Sequence, residues 1–134
     1  MYRSEAIFSK TLCSQLVEFH QRIESGETGA GIPDLYIRFK FTECWVELKN
    51  HKYLSVKDKS WTIRWRKGQQ AWALKYRQAS MHSRCTYTAV AMSDGYIVIP
   101  MVRRYFKNIV QRSDVFRMTK LGDVIDVLRK ECKV

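Results

Sequence analysis

Apolar positions along this chain recur with two different periods, and the periods predict its elements. Phe8, Leu12 and Leu16 follow Ser4 at four-residue spacing, which predicts a helix over residues 4–16 capped by Ser4. Residues 17–23 read as a strand, and the glycine-bearing stretch 25–31 as a loop. Leu35-Tyr36-Ile37-Arg38-Phe39 alternates in part, and residues 44–48 are rich in strand formers, so the two predict a hairpin turning near Lys40 and Phe41. A second helix is expected over residues 69–80, with Trp72, Ala73 and Tyr76 on one face. Residues 87–92 and 96–101 flank Ser93-Asp94-Gly95, a short-hairpin signal. Residues 103–117 are expected to hold a short helix and a loop, and Leu121, Val124, Ile125, Leu128 and Cys132 form a helical stripe at the end. The order helix, strands, helix, strands, helix predicts an α/β sandwich with a mixed central sheet.

Composition narrows this picture. At 134 residues the chain is sized for one domain, expected to span residues 1–134, and 46% hydrophobic residues favour a folded core over disorder. No apolar run has membrane-spanning length and no signal peptide is evident, so a cytoplasmic protein without membrane contact is expected. Cys13, Cys44, Cys85 and Cys132 share no zinc-ligand spacing, which predicts reduced thiols and no zinc. The net charge of +11 points to a polyanionic partner.

Against that basic background, the acids of Pro33-Asp34 and Glu47-Leu48-Lys49 stand out. Glu47 and Lys49, two apart on a strand, face the same side, while Val46 and Leu48 face the core. An antiparallel hairpin would set Asp34 opposite Glu47, with Cβ atoms about 4.5–5.5 Å apart, close enough to share one cation. Pro33, which has no N–H, fits the first position of its strand. Such a pair suits Mg²⁺ or Mn²⁺, which lowers the pKa of its bound water and stabilises charge building on a phosphate. Lys49 could orient that water or neutralise the transition state. Glu-x-Lys by itself is also an ordinary surface charge pattern, so the flanking residues matter.

Gly31-Ile32-Pro33-Asp34-Leu35 and Trp45-Val46-Glu47-Leu48-Lys49 resemble the motif of the PD-(D/E)XK nucleases, and within them the VRR-Nuc family and phage-type Holliday junction resolvases. The similarity runs over residues 4–76. It implies a restriction-endonuclease-like α/β/α sandwich, with Asp34, Glu47 and the Leu48 carbonyl as metal ligands. Lys49 would be the catalytic lysine. Glu5 would be a further acid at the metal, and Gln69, in Gln69-Gln70-Ala71-Trp72, would support the site or contact the phosphate. Glu5 also suits the first turn of a capped helix on dipole grounds alone, Glu18 and Glu24 compete for the role of third acid, and Gln69 fits an ordinary first turn. The stretch between Lys49 and Gln69 is longer than in compact members of the family.

That stretch is basic with interleaved aromatics. Lys52, Lys57, Lys59, Trp61, Arg64, Trp65, Arg66 and Lys67 are candidate DNA contacts, cations for phosphates and flat rings for bases. The alternative is a hairpin whose tryptophans pack inward. The resemblance implies a metal-dependent DNA endonuclease acting on branched DNA, and cutting a four-way junction twice about a two-fold axis predicts a homodimer. A duplex nicking or homing-type endonuclease, and a basic module that binds nucleic acid without cutting it, are the alternatives.

Overall fold

The computed structural model describes residues 2–23, 31–40, 42–66, 68–79, 85–101 and 108–132. Most of the loop 25–31 lies outside them, as do Glu24, Phe41, Lys67 and residues 102–107. The first helix, α1, spans Glu5–Gln15; the Ser4 hydroxyl accepts from the Ile7 N–H at 3.2 Å, and Phe8 and Leu12 are buried. Strands β1 (Phe19–Arg22), β2 (Leu35–Arg38) and β3 (Glu43–His51) follow. After β4 (Ser60–Thr62) come α2 (Gln69–Ala79), β5 (Thr86–Met92) and β6 (Tyr96–Pro100). The chain ends with β7 (Ile109–Gln111), a 3-10 turn at Arg112–Asp114, β8 (Phe116–Met118) and α3 (Leu121–Glu131).

Six strands form the central sheet in the order β1-β2-β3-β5-β6-β8. The β3–β5 pair is parallel and the other neighbours are antiparallel, so the sheet is mixed as expected. β3 runs on to His51, beyond the 44–48 span read from the sequence, because β5 supports it from Trp45↔Thr86 to His51↔Met92 after β2 has ended. β5 is buried along its whole length, as a strand covered on both faces must be.

One sheet face carries Leu35, Ile37, Val46, Leu48, Ala89 and Val98 against α1 and the apolar stripe of α3. On the other face, α2 lies over β2 and β3, where Trp45, Trp72 and Tyr76 pack ring against ring. Beside it, a ribbon of β4 and β7 sends Trp61, Ile63 and Val110 onto Val90, Met92, Ile97 and Ile99. The result is an α/β/α sandwich in which one outer layer is shared by a helix and a ribbon.

The region 103–117 departs from expectation. Where described, it forms β7, a 3-10 turn and β8, with Tyr96↔Met118 joining β8 to the sheet edge. Strands of three residues have too few positions to show alternation, and partners distant in sequence stabilise them.

A close approach of two glycines fixes the end of the sheet where the candidate acids lie. Gly31 has φ +97°, and a Cβ built there would sit 2.2 Å from the Gly68 carbonyl oxygen, one residue before α2. The loop leading into Asp34 and the start of α2 are therefore in backbone contact. Gly31→Ala combines a strained φ, about 1–3 kcal/mol, with that clash. Thermal denaturation should show a loss of several degrees in melting temperature; an unchanged value would mean that the contact yields at no cost.

Candidate active site

Asp34 is held at two points. Its carbonyl accepts the Ile23 N–H at 2.7 Å, and its carboxylate Oδ2 accepts the Leu48 N–H at 2.9 Å. The Trp45 N–H points to Cys85, so strand alternation turns the N–H groups of Val46 and Leu48 toward β2. β2 begins at Leu35, opposite Val46, and the Asp34 side chain takes the next donor along. The register also sets Asp34 against Glu47, the pairing read from the sequence.

Glu47 is only 5% exposed, and its Oε2 is buried without a hydrogen-bond partner. Burial pushes its carboxyl up to about 9, and Asp34 adds to the shift by hydrogen bond and by charge. A carboxylate pair in this setting needs a proton or a cation between its oxygens at neutral pH. The donor set is two hard oxygens with one lone pair still unsatisfied, and it fits a divalent cation of the Mg²⁺ class. Among the described residues, no group of three His, Cys, Asp or Glu side chains gathers to hold a metal.

Lys49, on the same strand face, is 4% exposed and donates from Nζ to Gln69 Oε1 at 3.3 Å. Its burial holds it below the usual lysine value, while Glu47 pulls the other way. Gln69 Oε1 also accepts the Arg66 N–H at 2.7 Å, and the Gln69 N–H returns to the Arg66 carbonyl at 3.1 Å. That reciprocal pair closes the first turn of α2 and aims the amide oxygen at Lys49. The first residue of α2 is thus also the one hydrogen-bonded to Lys49.

Glu5 lines a cavity of about 150 Å³ together with Arg22, Asp34 and Leu48. Its Oε2 lies 3.7 Å from the exposed Arg66 guanidinium. Glu18 is removed from this cluster: it is paired with Arg129 at 2.6 Å. Sequence reasoning missed Arg22, which no motif marks, and His51. His51 was accessible in principle, because it continues the Glu47, Lys49 alternation once β3 is drawn two residues longer.

The basic segment divides. Lys52 and Arg64 line a second cavity, of about 450 Å³, that shares Glu5 with the first. Lys57 and Lys59 are exposed on and beside the 55–58 turn, which Asp94 ties down, and line neither cavity. Trp61 is corrected: it is 1% exposed in the core under the ribbon, its indole N–H donates to the Ser55 carbonyl at 2.7 Å, and no ring face is left for a base. Trp65 is half-buried, packs against the same core and donates to Thr88 Oγ1 at 3.0 Å. The inward-packing alternative describes both rings.

None of the four cysteines is in a disulfide. No described helix is long and apolar enough to cross a membrane.

No family model matches the chain, and no curated protein does. Among solved structures, it is similar to the Holliday junction resolvase Hjc of the archaeal hyperthermophile Archaeoglobus fulgidus. The TM-score is 0.57 at 16% sequence identity, over 81% of this chain and 88% of that one. The chain therefore has an Hjc-like fold, with a six-stranded mixed sheet and three helices among its described residues.

The Glu47 environment gives a signed pH dependence. Its folded pKa of about 9 lies above the ordinary 4.5, so between those values the folded state binds more protons than the unfolded one. Stability without metal should then fall as pH rises from about 4.5 toward 9. Glu47→Gln mimics the protonated form. In EDTA at pH 8 it should melt higher than the parent and lose this part of the pH slope; a lower melting temperature would contradict the assignment.

Proposed function

We propose that this chain is a Mg²⁺- or Mn²⁺-dependent endonuclease of the PD-(D/E)XK type, hydrolysing phosphodiester bonds in branched DNA. The observation that carries the reading is the buried Glu47 carboxyl, set against Asp34 with an oxygen unpartnered and Lys49 on the same strand face. Isolated in a protein interior, those groups cost stability; around a cation and a phosphate they are complementary. Asp34, Glu47 and the Leu48 carbonyl would hold the cation, with Glu5 as the further acid across the cavity. When bound, it supplies an acidified water and neutralises charge on the phosphate.

The chain's own residues do the rest. Lys49 Nζ, held by Gln69 Oε1, orients the attacking water and offers positive charge to the phosphate oxygens. The second N–H on Gln69 Oε1, from Arg66, keeps that acceptor in place. Arg22 lines the cavity with Asp34 and Glu5, Arg66 stands beside Glu5 and Arg64 lines the adjoining cavity, and these cations favour a polyanion approaching a site that carries carboxylates. The fold shared with a Holliday junction resolvase supports four-way junctions as the substrate, and two symmetric cuts would require a homodimer. The closer tie to the VRR-Nuc family rests on the sequence resemblance over residues 4–76 and not on the shared fold.

Labelled four-way junction, linear duplex and single strand, each with Mg²⁺, Mn²⁺ or EDTA, test the reading. Symmetric, metal-dependent cuts in the junction are expected. Asp34→Asn and Glu47→Gln keep an oxygen at each position but remove its charge, and each should slow cleavage about 10²–10⁴-fold while junction binding persists. Cutting confined to linear duplex would replace the junction assignment with a site-specific one. Binding without cutting in either metal would refute the hydrolase reading.

A further inference from the structure

We infer that the larger cavity, lined by Arg3, Asn50, His51, Lys52, Tyr53 and Arg64, receives one unstacked nucleotide of the cleaved DNA strand, its phosphate on the cations and its base against Tyr53. This rests on the hydrolase reading and adds to it a single-nucleotide subsite beside the cut.

Position is the first argument. The cavity meets the smaller one at Glu5, and β3 runs through both: Glu47 and Lys49 belong to the acid cluster, and His51, two residues on, lines the larger cavity. A strand whose phosphate lies at Asp34 and Glu47 has its neighbouring nucleotide here. Size is the second argument. About 450 Å³ is within the range of small-ligand pockets, roughly 300–1,000 Å³, and a recess of that volume suits one nucleotide rather than a smooth duplex backbone.

The lining is the third. Arg3, Lys52 and Arg64 face a single acid, Glu5, so the cavity favours an anion. Tyr53 is 89% exposed, and the Lys52 ammonium lies over one face of its ring, 5.3 Å from the centroid, which leaves the opposite face as an aromatic platform. Asn50 donates from Nδ2 to the Tyr2 carbonyl at 2.9 Å, which fixes this side chain at the cavity wall, its Oδ1 buried without a hydrogen-bond partner. Burial, with Lys49 and Arg64 nearby, holds His51 below the ordinary histidine value, so at neutral pH it is an uncharged hydrogen-bonding group. Cations beside a stacking ring are what nucleotide binding uses.

The test is an abasic scan. Single bases are removed, one position at a time, along the arms of a four-way junction, and binding is measured in EDTA for the parent, Tyr53→Ala and Tyr53→Phe. Cuts made by the parent in Mg²⁺ are mapped on the intact junction. The expected result is one sensitive position, next to the mapped cut, where base removal weakens parental binding about tenfold. Tyr53→Ala should bind both DNAs with the parent's weakened affinity, so the base no longer matters, and Tyr53→Phe should behave like the parent. Equal sensitivity in the parent and Tyr53→Ala, or a sensitive position remote from the cut, would overturn the subsite while leaving the hydrolase reading standing. Absence of Mg²⁺-dependent cutting would overturn that reading, and the subsite with it. Tyr53 is too exposed for its loss to unfold the protein, so these outcomes report on binding.

Discussion

The hydrogen bond from the Leu48 N–H to the Asp34 carboxylate is the interaction on which the site end of this molecule is built. A strand in mid-sheet must satisfy donors on both edges, and β3 outlasts β2. Leu48 would be left with a buried donor facing no strand. Asp34 fills that place with a side chain, which lets the backbone turn away at Pro33 toward the loop that meets α2 at Gly68. One acceptor thus ends a ladder, fixes the position of a carboxylate opposite Glu47, and brings the two loops of the site together.

The consequence is an electrostatic arrangement that the apoprotein tolerates only by protonation. Glu47 is buried, adjacent to another acid and left with an unsatisfied oxygen, so its ionised form is disfavoured by both desolvation and charge. Lys49 is buried too, and its amide partner is neutral. A cation at the acids would reverse the sign of the local field for Glu47 and leave Lys49 as the charge offered outward. Strain of this kind is where function tends to be found, and here it lies on the longest strand of the central sheet.

How much was legible depended on whether a signal was local. The hairpin register was readable because two carboxylates at matching positions constrain it, and α3 because Leu121, Val124, Ile125 and Leu128 repeat over a full face. β7 and β8 were not, since each has three residues and exists by virtue of β4 and β6, distant in sequence. The extension of β3 to His51 was hidden for a related reason: Asn50 and His51 are poor strand formers that β5 holds extended by a parallel ladder. Of the site, residues on one strand could be read together, whereas Arg22 and Arg3 join it only through the fold.

The segment between β3 and α2 shows why composition misplaced the aromatic rings. A run of cations with tryptophans suggests a flexible arm that wraps a polyanion. Yet Trp61 and Ile63 alternate with Thr62 and Arg64 in burial, the period of a strand with one covered face. The apolar members go beneath the ribbon, onto Val90 and Met92, and the polar members are turned outward by the same pleat. Arg64 therefore lines its cavity because Trp61 and Ile63 are fixed, and Arg66 stands beside Glu5 because Gln69 holds its backbone. The Arg64 and Arg66 side chains are themselves exposed, and it is their backbone positions that the packing beside them fixes. Buried tryptophans thus serve the surface of this molecule from beneath, by fixing where its charges stand.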